Sequence, residues 1–103
     1  MDDKTLADKC VALGVGYTEI FPPARTTFYF HESIGMPMDA CEFLEKWDIA
    51  GALMEKVDSF DVIKGHHHDR WQNSCAARHK GKVADAVNDV LPRAIIEACV
   101  EAL

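Results

Sequence analysis

Apolar residues recur along this chain at two spacings, and the switch between them predicts the order of elements. From Asp3 to Leu13 the spacing is helical: Leu6, Cys10 and Leu13 fall on one face with Val11 beside them, while Asp2, Asp3, Lys4, Asp8 and Lys9 face water. Asp2 or Asp3 can cap the start, and Gly14 or Gly16 supplies a left-handed stop. Tyr17–Phe21 is β-branched and aromatic, the composition of a strand. Pro22-Pro23-Ala24-Arg25 breaks it, and Thr26–Phe30 resumes as a second strand with Phe28 and Phe30 on one side and Tyr29 on the other. The stretch that follows, with His31, Gly35 and Pro37, reads as loop.

The middle of the chain is a second amphipathic helix. Ile49, Ala50, Leu53, Met54 and Val57 share one face, leaving Glu55 and Lys56 on the other. Two starts fit. Asp48 is a good N-cap for a helix from Ile49; Asp39-Ala40-Cys41-Glu42 is a capping box for one from Ala40, which brings Phe43, Leu44 and Trp47 onto the buried stripe. Phe60–Lys64 then alternates as a third strand, residues 65–69 turn, and Arg70–Arg78 is a fourth, with Trp71, Asn73, Cys75 and Ala77 on one face. His79-Lys80-Gly81-Lys82 reads as a mobile polar tip, and Val83 to Val90 as a short helical turn leading into the last helix, Pro92 to Leu103. In that helix Ile95, Ile96, Cys99, Ala102 and Leu103 form the buried stripe, with Glu97 and Glu101 on the wet face.

The order is thus α-β-β-α-β-β-α, an α+β fold in which a four-stranded antiparallel sheet carries helices packed on it. A chain of 103 residues supports one domain, residues 1–103, with one core. Composition adds exclusions. A net charge of −6, with 17 acids interleaved among 11 bases, argues against nucleic acid as a partner, because a phosphate backbone calls for clustered Lys and Arg. No apolar run approaches the roughly 20 residues that cross a bilayer, and Met1-Asp2-Asp3-Lys4 lacks a basic region with an apolar run behind it. The expectation is a cytoplasmic protein in which Cys10, Cys41, Cys75 and Cys99 are thiols. None of them form a C-x-x-C pair, and Cys10 and Cys99 sit on apolar helix faces as small core residues.

Once the middle and last helices are placed, the chain resembles the phage ABA sandwich domain family. Asp48-Ile49-Ala50-Gly51-Ala52 is similar to the family's Asp-Ile-x-x-Ala opening of the middle helix. Pro92-Arg93-Ala94-Ile95-Ile96-Glu97-Ala98 is similar to its Pro-x-Ala-Ile-x-x-Ala last helix, with a strand carrying Trp71 between them. The resemblance implies a three-layer helix–sheet–helix sandwich and a phage or prophage setting. It implies no activity.

Three kinds of candidate chemistry remain. His66-His67-His68 is followed by Asp69 and His79, and imidazole is a ligand that zinc and other divalent transition metals prefer. Adjacent residues of an extended segment point to opposite faces, so His66 and His68 converge, with His79 from the opposite loop as third ligand. The plainer reading is a solvated hairpin tip. Cys41 with His31, or Cys75 with His79, is the pair a small Cys/His hydrolase would need, but neither has a third orienting residue or a glycine-rich elbow beside it. Phe28, Phe30 and Trp71 are candidates for an interface, enriched as such surfaces are in aromatic residues; core packing is the competing use. By elimination the chain reads as a small non-enzymatic phage or prophage accessory protein that binds a protein partner or itself, without a cofactor. A metal-binding module is the alternative, and the hydrolase comes after it.

Overall fold

The first helix, α1 (Asp3–Ala12), starts and stops where its ends can be satisfied. Asp2 accepts a 2.7 Å hydrogen bond from the Thr5 backbone N–H. At the other end Gly14, at φ +86°, and Val15 donate to the Val11 and Cys10 carbonyls, closing a Schellman motif around the buried Val15. The computed structural model of the protein describes residues 2–67 and 70–103; the side chains of residues 66, 67, 70 and 71 lie outside that description.

Three antiparallel strands follow, β1 (Tyr17–Phe21), β2 (Thr26–His31) and β3 (Ile34–Met38), in the order β1-β2-β3. After two helices, α2 (Ala40–Phe43) and α3 (Trp47–Met54), a second antiparallel meander comprises β4 (Ser59–His67), β5 (Arg70–His79) and β6 (Lys82–Asn88). The chain closes with α4 (Leu91–Ala102).

The α+β class holds, but the single four-stranded sheet does not: the strands form two separate three-stranded sheets. Two stretches assigned elsewhere supply the extra strands. Ile34–Met38, read as loop because of Gly35 and Pro37, is an edge strand, where a missing N–H faces away from the ladder. Val83 to Val90 was expected to turn helically, yet most of it is β6, with Ala84 and Ala86 facing in and Val83 and Val87 facing out. The tip before it is a tight turn, since Lys80 and Gly81 both have positive φ, the conformation of a two-residue hairpin. Residues Gly65 to His67, expected in a turn, continue β4. Of the two proposed starts of the middle helix, the one at Asp39 is used, for a separate short helix, while the one capped by Asp48 is not. Asp39 caps α2 through the Glu42 N–H at 2.7 Å, and α3 begins at Trp47, leaving Asp48 inside its first turn. That break turns Trp47 outward, 56% exposed, whereas Phe43 and Leu44 are fully buried.

The layering is also inverted from the expected helix–sheet–helix sandwich. The helix α4 lies on β5 and β6 and touches α3 and α1, while α2 lies on β2 and β3 and touches α1. Helices therefore link the two sheets, and each sheet has one face turned away from them. Eight residues of α4 are buried, and only Leu91 at its start and the row Arg93, Glu97, Glu101 reach solvent. Against it the second sheet presents small side chains, Cys75, Ala77, Ala84 and Ala86. Arg93, paired with Glu97 one turn along α4, ties that helix to α1 by pairing with Asp3.

Two residues hold the first sheet to the helices. Tyr29 is 2% exposed, packs its ring on Phe43, and donates a 2.7 Å hydrogen bond to Asp8 on α1. Gly16, at φ +82°, lets chain segments meet: a Cβ there would stand 2.6 Å from the Phe30 carbonyl oxygen and 2.9 Å from the Phe43 ring.

Gly16→Ala should therefore cost about 2–4 kcal/mol in urea denaturation, combining the left-handed backbone with overpacking. Gly14→Ala, with a similar φ but open space around it, should cost only about 1–2 kcal/mol. Tyr29→Phe should cost about 1 kcal/mol at neutral pH. Hydrogen bonds from Lys4 and Tyr29 hold the Asp8 carboxyl below its usual range. Its contribution is complete above the unfolded carboxylate range and is lost as pH falls through the lowered folded value, so the Tyr29→Phe deficit should shrink on acidification.

Candidate functional site

The register of β1 with β2 decides what the first sheet shows to solvent. Tyr17 pairs with Phe30 and Glu19 with Phe28, while Thr18 pairs with Tyr29. Because Tyr29 points into the core, the odd positions of β1 and the even positions of β2 share the opposite face. On that face Tyr17 stacks on Phe30 with centroids 5.2 Å apart and rings within 8° of parallel. Phe21 reaches diagonally to Phe28 at 5.3 Å and to Phe30 at 6.2 Å. Among the described residues no helix or sheet lies over these rings: Tyr17 is 49% and Phe21 42% exposed, as is the whole of β1, while Phe28 and Phe30 are half-buried. Aromatic pairs of this kind contribute about 0.5–1.5 kcal/mol each, but Tyr17 and Phe21 still present much of their surface to water.

Of the interface candidates, Phe28 and Phe30 belong to this cluster; the side chain of Trp71 lies outside the described residues. Tyr17 and Phe21, read only as strand formers, complete it. Their signal was the same odd–even alternation, which becomes informative only once the hairpin register joins the two strands. The outward face of the second sheet is different. It exposes Ile63, Val83 and Val87, but Asp61, Asp85 and Arg78 interrupt them, and Arg78 pairs with Asp61 at 2.8 Å.

A shallow recess of about 260 Å³ borders the aromatic face, lined by Gly14, Gly16, Tyr17, His31 and Glu32. Beside it His31 Nδ1 lies 2.6 Å from the Ser33 hydroxyl, which donates to Asp48 on α3. A nucleophilic serine needs the imidazole between itself and the carboxylate. Here the hydroxyl stands in the middle and its proton is directed at Asp48, so the trio anchors the β2–β3 turn to α3 and does not activate Ser33.

The other candidates are separated. His66 pairs with Trp71 at one end of β5 and His79 closes the other, roughly 25 Å away at about 3.3 Å per residue. One chain therefore does not bring the backbones of His66 and His79 together, and His68 lies outside the described residues. His79 instead faces Asp58, Nδ1 to Oδ1 at 3.6 Å. Neither cysteine–histidine pair forms. Cys41 Sγ faces Glu45 Oε1 at 3.9 Å while His31 engages Ser33. Cys75 and His79 share a strand face but stand roughly 13 Å apart along it. Burial pushes the Cys10 and Cys99 thiols up to about 12 and raises that of Cys75; desolvation and then Glu45 raise that of Cys41. These are the opposite of activated thiols.

No helix among the described residues is long and apolar enough to cross a membrane. No family model, curated protein or solved structure matches the chain. The site must be read from its own geometry.

Thiol titration with Ellman's reagent checks the cysteine environments. Cys41 alone is exposed, so the native protein should displace one equivalent of thionitrobenzoate, slowly, by forming a mixed disulfide at that residue, and the remaining three should react only in denaturant.

Proposed function

We propose that this is a non-enzymatic binding protein that works through the aromatic face of its first sheet, engaging a protein partner or a second copy. The observation that carries the reading is the aromatic cluster of Tyr17, Phe21, Phe28 and Phe30, in which Tyr17 and Phe21 are exposed and Phe28 and Phe30 half-buried. A contiguous aromatic patch beside open backbone is the anchor composition of protein interfaces, and covering it would recover burial that the fold leaves unused. β1, β2 and β3 contain no Lys or Arg, and the only acid on the aromatic face of β1 is Glu19. That absence of cations, with the net charge of −6, favours a protein over single-stranded nucleic acid, which stacks on aromatic faces only where basic groups hold its phosphates. The resemblance to the phage ABA sandwich domain family supports a phage or prophage setting and the cytoplasm of a bacterial host as the place of action. It does so through the Asp48–Ala52 and Pro92–Ala98 patterns, although the layer order it implied is not the one formed.

Site-specific photo-crosslinking tests the reading. With p-benzoylphenylalanine in place of Phe28, irradiation of cells should yield a discrete protein adduct. The same probe in place of Ile63, on the charged outward face of the second sheet, should not. Equal labelling from both positions, or none from Phe28, would remove the aromatic face as the working surface.

A further inference from the structure

We propose that β1 is the seam of a homodimer, in which two copies pair β1 antiparallel about Glu19 and join their first sheets into one continuous sheet. β1 is an edge, so one side of its backbone has no strand partner among the described residues, and all five of its residues are exposed. Edge strands are normally blunted by proline, bulges or several charges. β3, at the other edge of the same sheet, has both Pro37 and a register shift. β4 carries Asp61 and Lys64, and β6 carries Lys82 and Asp85. β1 has no proline and no bulge, pairs regularly with β2 throughout, and holds a single charge.

The occupant follows from the strand's own order of residues. Tyr17-Thr18-Glu19-Ile20-Phe21 reads the same by type in both directions: aromatic, β-branched, Glu, β-branched, aromatic. Directly paired residues of antiparallel strands lie on the same face, so a two-fold axis through Glu19 sets Tyr17 across from Phe21 of the second copy on the aromatic face, and Thr18 across from Ile20 on the other. Other axes that keep the faces aligned fit worse. One through Ile20 brings Pro22, which has no N–H, into the ladder; one through Thr18 brings in Gly16, whose φ of +82° is not extended. The seam makes the two aromatic clusters continuous, so it rests on the reading of the first sheet as the interaction surface and names a second copy as its partner.

One cost is built in. The two Glu19 carboxylates stand directly opposite each other, and like charges in that position oppose pairing. The residue across from Glu19 on β2 is Phe28, and no cation on β1 or β2 faces it. Glu19 therefore sets the strength of the seam.

Sedimentation velocity of the untagged full chain, across the micromolar range at neutral pH, should show a concentration-dependent dimer. Glu19→Gln should tighten it about fivefold. Glu19→Lys should self-associate poorly, yet form a heterodimer with the parent that is tighter than the parent dimer. Disulfide trapping in a Cys41→Ser background reads the register. A mixture of Thr18→Cys and Ile20→Cys chains should cross-link readily, and neither alone, because each residue opposes the other type across the axis and not itself. A parent that stays monomeric overturns the seam whatever the variants do, and so does a Thr18→Cys chain that cross-links to itself. The two readings fail separately: a foreign adduct from the Phe28 probe with a monomeric parent removes the seam and keeps the face. A dimer trapped between Thr18→Cys and Ile20→Cys without any Phe28 adduct keeps the seam and removes the wider face.

Discussion

Burial of α4 on more than one side is the constraint on which the rest of this structure depends. A helix at the surface of a two-layer fold needs one apolar stripe; α4 beyond its first residue keeps only the narrow row Arg93, Glu97, Glu101 for solvent. Such a helix has to be enclosed, and three elements enclose it: the second sheet, α3 and α1. The composition makes the enclosure tight. Ala94, Ala98 and Ala102 on the helix and Ala77, Ala84 and Ala86 on the sheet leave little side-chain volume between backbones, so close approach replaces large interlocking residues. Because small residues gain little individually from burial, this half of the core relies on area spread over many of them.

The first sheet is held differently. Its inward face has a few large anchors, Tyr29, Met38 and the helix residue Phe43, together with the glycine that lets Phe43 and Phe30 approach. This arrangement covers β2 and the two ends of β3 and stops short of β1, where even the inward-facing Ile20 is 64% exposed. The molecule thus has a dense end built from α4 and the second sheet, and a projecting end built from the β1–β2 hairpin. The side chains that carry the functional reading are on the projecting end. A strand outside the core adds little to folding, so its aromatic composition is better explained by what it meets than by what it stabilises.

The histidine-rich stretch shows how local patterns mislead when the connection is long. Histidines near both ends of a predicted hairpin look convergent if the hairpin is short, yet β5 is ten residues long and places its ends far apart. The Cys75–His79 pair fails for the same reason, four residues of extended chain being too long for a hydrogen bond. The Ser33–Asp48 contact, which does form, links residues fifteen apart through a turn and a helix start, and no spacing rule would select it.

Local preference and periodicity were enough, from the sequence alone, to determine α1 with its cap and stop, the β1–β2 hairpin, the inward face of α3 and the wet row of α4, because each depends on residues within a turn or one hairpin of each other. The same patterns also contained β3 and β6, masked by Gly35 and Pro37 in one case and by short Ala–Val alternation in the other. Whether a weak strand forms depends on a neighbouring strand offering it hydrogen bonds, and that is a property of the assembled sheet. Tertiary structure alone decided that the strands divide into two sheets, that helices lie between them, and that Trp47 points outward while Tyr29 points in. Those outcomes turn on how much surface each element can bury against elements distant in the chain, and alternation along a single strand does not say which of its two faces the core will take.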